Sequence, residues 1–188
     1  MEFNKVVNSR HSVKSFKTTK KPSYREIIEA IDAANKAPLA ANYPCIYYIL
    51  VQDKEKIKQL AEASVQDFFQ NVDFVVVVCS DYSFLEKSYY ERGKKYGPQQ
   101  SGAAIENLLL KVTDLGLGAC WVGAFTNDIV RRVLNLPRDI EIEALIPIGY
   151  EFGKEKQKAK SDLDRVLFFD EWKNKFMKSR SIPPAHRT

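Results

Sequence analysis

The sequence has few of the residues on which metal and nucleophile chemistry usually depend. Its 188 residues include two histidines, His11 and His186, and three cysteines, Cys45, Cys79 and Cys120. The cysteines have neither metal-ligand spacing nor an even count, so we expect no metal site and no disulfide framework. Reduced, buried thiols are typical of a cytoplasmic protein.

Long hydrophobic runs are also missing. The most strongly apolar run, residues 74–79, is much shorter than the roughly 20 residues that span a membrane. No apolar signal segment follows the first five residues. The sequence therefore predicts a cytoplasmic protein without a membrane partner.

Several nucleotide and hydrolase motifs do not occur. No Gly-x-Gly-x-x-Gly follows a strand, so a dinucleotide-binding fold of that type is not supported. No Gly-x-x-x-x-Gly-Lys-[Ser/Thr] is present, so a P-loop is excluded. No Ser/His/Asp constellation is visible. The net charge is +5, but no recognised nucleic-acid motif accompanies it, and we expect no nucleic-acid partner.

The periodicity of the apolar residues predicts four strands and several helices. The length predicts one domain, and strands alternating with helices predict an α+β or α/β sandwich. Ser23 and Glu26 form a capping box that opens a helix, and Asp53 can cap the helix that follows it. Strands 46–51 and 74–79 are expected to be buried on both faces, and Pro147 suggests an edge or an irregularity in the last strand. The predicted strands cover 46–51, 74–79, 119–125 and 142–150, and further helices cover 54–63, 99–115 and 127–133.

A short basic stretch near the start is the first candidate site. Arg10, Ser12 and Lys14 place a guanidinium, a hydroxyl and an ammonium close together. Such a set can hold an anion through several charge-assisted hydrogen bonds. The alternative from these residues alone is a solvated basic loop.

Four segments, in order, resemble the FMN-dependent nitroreductase family. Arg10 to Phe16 is similar to the family's Arg-[Arg/His]-Ser-x-[Arg/Lys]-x-[Phe/Tyr] start. The other three are a small-residue loop, a long helix followed by a Gly-Leu-Gly-x-Cys-Trp-x-Gly strand, and a final core strand. They cover residues 37–42, 104–123 and 146–150.

The resemblance implies an α+β three-layer sandwich with a central, mainly antiparallel sheet flanked by helices. It implies a single domain over residues 1–188, with a core of about 3–172 and a C-terminal tail of 173–188. It further implies a homodimer with FMN at the subunit interface and NAD(P)H as electron donor. The implied reaction is a ping-pong hydride transfer through flavin N5 to a small electron-poor acceptor, such as a nitroaromatic or a quinone.

The resemblance also assigns candidate cofactor contacts and no catalytic side chain. Arg10 and Ser12 would hold the phosphate and ribityl chain, with His11 and Val13 in the same stretch, and Lys14 would lie near N1 and O2 of the ring. Asn42 of the partner subunit would contact the ring system. Candidates farther along the chain are Gln66, Val122, Gly123 and Arg165, with Lys158 or Lys160 as alternatives to Arg165.

One departure from the family pattern leaves the acceptor open. After its asparagine the family loop usually continues Gln-Pro-Trp, whereas this chain has Tyr43, Pro44 and Cys45. Tyr43 and the aromatic residues between 82 and 96 are therefore expected to shape a different substrate pocket. The alternative function is an FMN-binding storage or sensor protein without efficient turnover.

Overall fold

The computed structural model describes residues 1–153 and 159–177. The chain divides into two compact units, residues 1–155 and 156–188. The first unit contains the sheet and six of the described helices, and the second contains one short helix. The expectation of a single domain over 1–188 stays a prediction.

A four-stranded antiparallel sheet lies at the centre of the first unit. Its spatial order is β1-β2-β4-β3, and every neighbouring pair is antiparallel. The strand bounds are β1, Ile46–Val51; β2, Phe74–Ser80; β3, Gly118–Ala119; and β4, Glu141–Gly149.

Helices cover both faces of this sheet. One hydrophobic cluster joins the sheet to the second and fifth helices, and another joins its opposite face to the third and sixth. The predicted three-layer α+β arrangement is confirmed. The helices are α1, Phe3–Ser9; α2, Tyr24–Ala34; α3, Lys54–Ala63; α4, Ser83–Tyr89; α5, Gly93–Asp114; α6, Asn127–Leu134; and α7, Leu163–Val166 in the second unit.

Local signals define the ends of two of these helices as predicted. At the start of α2, the Ser23 hydroxyl accepts from the Glu26 amide at 3.2 Å, and the Glu26 carboxylate accepts from the Ser23 amide at 2.6 Å. At the start of α3, Asp53 accepts from the Lys56 amide at 2.9 Å. These contacts satisfy amides that the first helical turn leaves without partners.

Strand β1 is less buried than its sequence predicts. Among the described strands it pairs with β2 alone, which makes it an edge strand of the described sheet. Tyr47 is 49% exposed, and only Val51 in this strand is buried. The expectation of burial on both faces was wrong for β1 because an apolar run does not specify the strand's place in the sheet. The same expectation is confirmed for β2, in which every residue is buried.

The long helix α5 begins six residues before its predicted start at Gln99, and it contains Pro98. The polar and aromatic stretch 81–97 predicts a helix and a loop, whereas α4 and the first residues of α5 occupy most of it. Pro98 is the sixth residue of α5, so it lacks the amide that would bond the Lys94 carbonyl, and the helix continues through it at the cost of one intrahelical hydrogen bond.

The last two strands also differ from prediction. The predicted strand 119–125 shrinks to β3 and one isolated bridge between Val122 and Leu145. Pro147 lies in β4, which is an inner strand, and its carbonyl accepts from the Cys120 amide. Its nitrogen faces the same side and has no hydrogen to donate to Cys120, so the ladder between β3 and β4 is interrupted there and resumes at Val122 and Leu145. This interruption is an irregularity of the kind that Pro147 suggested.

Val65 has a backbone conformation that suits glycine. It follows α3 with φ of 53° and is 88% exposed. Because a β-branched residue is strained there, Val65→Gly is expected to raise the free energy of unfolding by about 1 kcal/mol in urea denaturation. Val65→Ala keeps the φ penalty and serves as the control. Equal stability of the two variants would contradict the strain at Val65.

Candidate functional site

The basic stretch 10–14 lies alongside the strand that contains β3. Ser12 forms a parallel bridge with Ala119, and the Val13 amide donates to the Ala119 carbonyl at 2.9 Å. Val13 is 2% exposed and covers Gly118, where a Cβ atom would lie 2.7 Å from the valine's Cγ2. The glycine therefore permits the close approach that holds this stretch in place.

Extended backbone explains the spacing of the polar residues. Successive side chains of an extended segment point to opposite sides. Val13 points into the protein, so Arg10, Ser12 and Lys14 belong to the side away from it; Ser12 and Lys14 are exposed and Arg10 is half-buried. The three predicted anion contacts thus share one side of the segment.

Two neighbours orient the cations of this segment. Arg10 Nε lies 3.4 Å from Oε1 of Glu106 on α5. Lys14 Nζ lies 5.9 Å from the centroid of the Phe68 ring, at the outer limit of a cation–π contact. Neither Glu106 nor Phe68 was identified from the sequence as part of the site.

His11 has contacts on the other side of the stretch. Its Nδ1 lies 2.8 Å from the Ser9 carbonyl, and its Nε2 lies 3.0 Å from Oε1 of Glu151. Both ring nitrogens therefore have partners within the protein. A direct role of His11 or Val13 in cofactor binding stays a prediction.

The strand end at Val122 and Gly123 is the second part of the site. Val122 is buried and exchanges two backbone hydrogen bonds of 3.0 Å with Leu145 of β4. Gly123 is exposed, and a Cβ atom there would meet only Trp121 Nε1, at an ordinary 3.8 Å. No steric contact with a described residue requires glycine at this position, so the open space suits a flat group packed on the backbone.

Gln66 is linked to these two parts of the site through contacts of residues close to it in sequence. It follows Val65 at the end of α3 and is half-buried. The Thr126 amide donates to the Ala63 carbonyl at 2.8 Å, which ties the segment after Gly123 to this helix end. Lys14 reaches Phe68, two residues after Gln66. Folding therefore gathers segments that are distant in sequence.

The loop with Asn42 is held by other elements. Ala41 and Asn42 both have positive φ, 54° and 52°. The buried Gln100 of α5 accepts from the Ala40 amide at 2.9 Å, and the Tyr43 ring stacks on Phe84 with centroids 4.1 Å apart. These contacts fix the loop on the α4–α5 side of the unit.

Gln100 was missed by the sequence reasoning, although a signal was available. It precedes Ala104 and Leu108 at four-residue spacing, and both are buried on the apolar face of α5. A polar residue at such a position needs a hydrogen-bond partner inside the protein. The partner is the loop that contains Asn42.

Arg165 belongs to the second unit. It is exposed, and its Nε lies 3.9 Å from Oδ2 of Asp162. Lys160 is also exposed, whereas Lys158 lies outside the described residues. A role for any of these residues in phosphate binding stays a prediction.

The three cysteines are buried, and the described residues contain no cluster of metal-ligand type. No group of three or more potential metal ligands occurs among residues 1–153 and 159–177. Cys45, Cys79 and Cys120 are all buried thiols. Burial, aided by the Glu143 carboxylate, raises the pKa of Cys79 to about 11, and burial also raises the pKa of Cys45. Both thiols are therefore protonated, and poor nucleophiles, at neutral pH.

No helix in the described part of the chain is both long enough and apolar enough to cross a membrane.

Comparison with known proteins connects this fold and site to one family. The model of the Nitroreductase family matches residues 7–73 and 64–150. A relative from Archaeoglobus fulgidus, named as an NADH dehydrogenase/NAD(P)H nitroreductase, is 29% identical over 151 residues, which are 78% of this chain and 83% of the relative.

Solved structures share the fold. A nitroreductase family protein from Clostridium novyi NT has a TM-score of 0.74 and 27% identity, covering 96% of this chain and 99% of its own. An FMN-dependent nitroreductase from Clostridium difficile R20291 has a TM-score of 0.75 and 22% identity, covering 89% of this chain and 98% of its own. The second likeness concerns the fold alone.

Proposed function

Because the chain belongs to the nitroreductase family, we propose that it is an FMN-dependent NAD(P)H oxidoreductase that reduces a small electron-poor acceptor. The relative from A. fulgidus carries a name of the same reaction class. The observation that carries the proposal is the parallel pairing of Ser12 with Ala119, which brings the basic stretch alongside the strand leading to Gly123.

The residues gathered there have the chemistry that FMN requires. Arg10 and Ser12 can donate hydrogen bonds to a phosphate, and a guanidinium–phosphate pair is among the strongest hydrogen-bonded contacts. Gly123 leaves its backbone open to a flat ring, because the nearest atom to a Cβ built there is Trp121 Nε1, at 3.8 Å. Gln66, two residues before the Phe68 ring that Lys14 contacts, supplies a side-chain amide. Bound FMN would supply two-electron chemistry, accepting hydride from NAD(P)H at N5 and passing it to the acceptor.

Lys14 is the residue that we expect to tune this chemistry. Its ammonium is exposed on the side of the stretch shared with Arg10 and Ser12. A fixed cation stabilises negative charge that develops on an electron-accepting ring. We assign no acid or base role to any side chain in the transfer itself.

We propose that the active form is a homodimer with FMN at the subunit interface. The exposed Asn42 lies in a strained loop fixed by Gln100, and a preorganised loop of this kind is suited to contacting a ligand. In the dimer this Asn42 would serve the site of the other subunit, and Arg165 would add a phosphate contact. We expect the protein to act in the cytoplasm, where its buried thiols stay reduced.

Purified protein tests this proposal directly. We expect a yellow protein from which mass spectrometry identifies FMN, and whose flavin absorbance bleaches when NADH or NADPH is added without oxygen. A colourless protein that cannot be reconstituted with FMN would overturn the proposal. Bound FMN that neither nucleotide bleaches would instead favour the storage or sensor function.

A further inference from the structure

A polar cluster lies between the sheet and α5, outside the groups assigned above. Its members are a carboxylate and three hydroxyls, from Ser80, Tyr82, Ser101 and Glu143. Ser80 and Ser101 are only 0% and 1% exposed, whereas Tyr82 and Glu143 are half-buried. The Ser80 hydroxyl donates to Oε1 of Glu143 at 2.5 Å, Tyr82 donates to the same oxygen, and the hydroxyls of Tyr82 and Ser101 lie 3.1 Å apart.

A β-bulge turns Glu143 toward this cluster. Val78 pairs with Ala144, but the next residue, Cys79, pairs with Ile142, so Glu143 is the extra residue in β4. Ala144 packs in the cluster that includes α5, and Glu143 contacts the Tyr82 hydroxyl, which lies 3.1 Å from that of Ser101 on the same helix. Two successive side chains therefore face one side of the sheet, which regular alternation forbids and a bulge permits.

The two oxygens of the Glu143 carboxylate differ in their surroundings. Oε1 accepts from two hydroxyls, which fix the orientation of the carboxylate. Oε2 has no hydrogen-bond partner among the described residues. Every buried side-chain nitrogen or oxygen in that part of the chain has a partner, so Oε2 is not a buried atom. Oε2 is therefore reached by solvent. A carboxylate held by one oxygen and open at the other is a preorganised hydrogen-bond acceptor.

This acceptor lies next to two parts of the candidate site. The strand of Gly123 pairs with β4 through Val122 and Leu145, and neighbouring strands are separated by about 5 Å. On the other flank, Tyr82 leads into α4, where Phe84 stacks on Tyr43. A backbone hydrogen bond of 2.9 Å from the Asp81 amide to the Cys45 carbonyl joins the segment before α4 to the segment after Tyr43.

We propose that Glu143 is a specificity residue, whose Oε2 accepts a hydrogen bond from a hydroxyl or amino group on an aromatic electron acceptor. The acceptor class is then an electron-poor ring that also carries an O–H or N–H donor, such as a nitrophenol. Tyr82, which contacts Glu143, is two residues before Phe84, and the stacked rings of Phe84 and Tyr43 offer an aromatic surface. This inference rests on the proposed function and narrows its substrate class.

The ionisation of 4-nitrophenol reports this contact without turnover. A carboxylate accepts from the neutral phenol and repels the yellow phenolate, so bound ligand should favour the phenol by about tenfold relative to free ligand. Difference spectra of the purified protein, titrated with 4-nitrophenol over a range of pH, measure that preference as a raised apparent pKa of the ligand. Binding with no such shift, or no binding, would overturn the inference.

Two variants assign the shift to one carboxylate. Glu143→Gln keeps a carbonyl oxygen for Ser80 and Tyr82 but can place an amide donor at the open position, so the preference should vanish or reverse. Glu141→Gln makes the same charge change at an exposed residue of β4 and should retain the shift. An equal shift in both variants would refute the role of Glu143.

Failure of this inference is distinguishable from failure of the proposed function. If the wild-type flavin is bleached by a nicotinamide nucleotide while 4-nitrophenol shows no shift, only the inference fails. If the shift occurs but the protein neither contains FMN nor can be loaded with it, the oxidoreductase proposal fails, and the phenol site stands by itself.

Discussion

Arg10→Ala is expected to weaken FMN binding by about 10- to 100-fold. A hydrogen bond to a charged group contributes about 1.5–3 kcal/mol, and each 1.4 kcal/mol is a tenfold change in the dissociation constant. The position of Arg10 beside Glu106 gives its guanidinium a defined orientation, which should keep the effect in this range. Fluorescence titration of the apoprotein with FMN measures the change.

Riboflavin provides the matched ligand because it has the same ring but no phosphate. The Arg10→Ala variant should bind riboflavin about as well as the wild type does. Arg25→Ala, at an exposed position on α2, is the control for loss of a surface guanidinium and should leave FMN affinity unchanged. A parallel loss of riboflavin affinity would show that Arg10 acts through the fold rather than through the phosphate.

Gly93→Ala is expected to lower the free energy of unfolding by about 3 kcal/mol, at the upper end of the usual cost of overpacking. Gly93 is buried at the first residue of α5, and a Cβ atom there would lie 2.1 Å from the Leu85 carbonyl oxygen. That oxygen belongs to the backbone of α4 and cannot rotate away. The substitution would therefore force α4 and α5 apart.

Gly102 on the same helix supplies the control. A Cβ atom there would meet only Trp121, at 3.9 Å, so Gly102→Ala should stabilise the helix by about 1 kcal/mol in the isolated chain. Urea denaturation of the two variants separates packing from helix propensity. Similar stabilities would contradict the close approach of α4 and α5 at Gly93.

Several elements could be predicted because their signals are local. The capping box at Ser23, the cap at Asp53 and the continuous apolar run of β2 each depend on a few adjacent residues, and all three are confirmed. The failures are not local. Whether strand 46–51 is an edge depends on which strands pair beside it. The choice between an edge and an irregularity at Pro147 depends on the neighbours of β4 in the same way.

The candidate site also has residues that the sequence identifies and others that only the structure identifies. Residue types and the resemblance nominated Arg10, Ser12 and Lys14, but only the pairing with Ala119 brings them beside the strand of Gly123. Their partners Glu106 and Phe68 come from other elements and have no motif of their own. Glu143 looks like a surface residue in the sequence, because no local pattern indicates a bulge.

The sequence by itself determined the starts of α2 and α3, the buried β2 strand, the basic stretch and the likeness to a family, because each is encoded in residue types at short spacing. The tertiary structure alone decided the strand order, the early start of α5, the support of the Asn42 loop by Gln100, and the hydroxyl cluster around Glu143. These features depend on contacts between residues that are distant in sequence, and such contacts arise only when burial of the two apolar faces of the sheet brings the helices together.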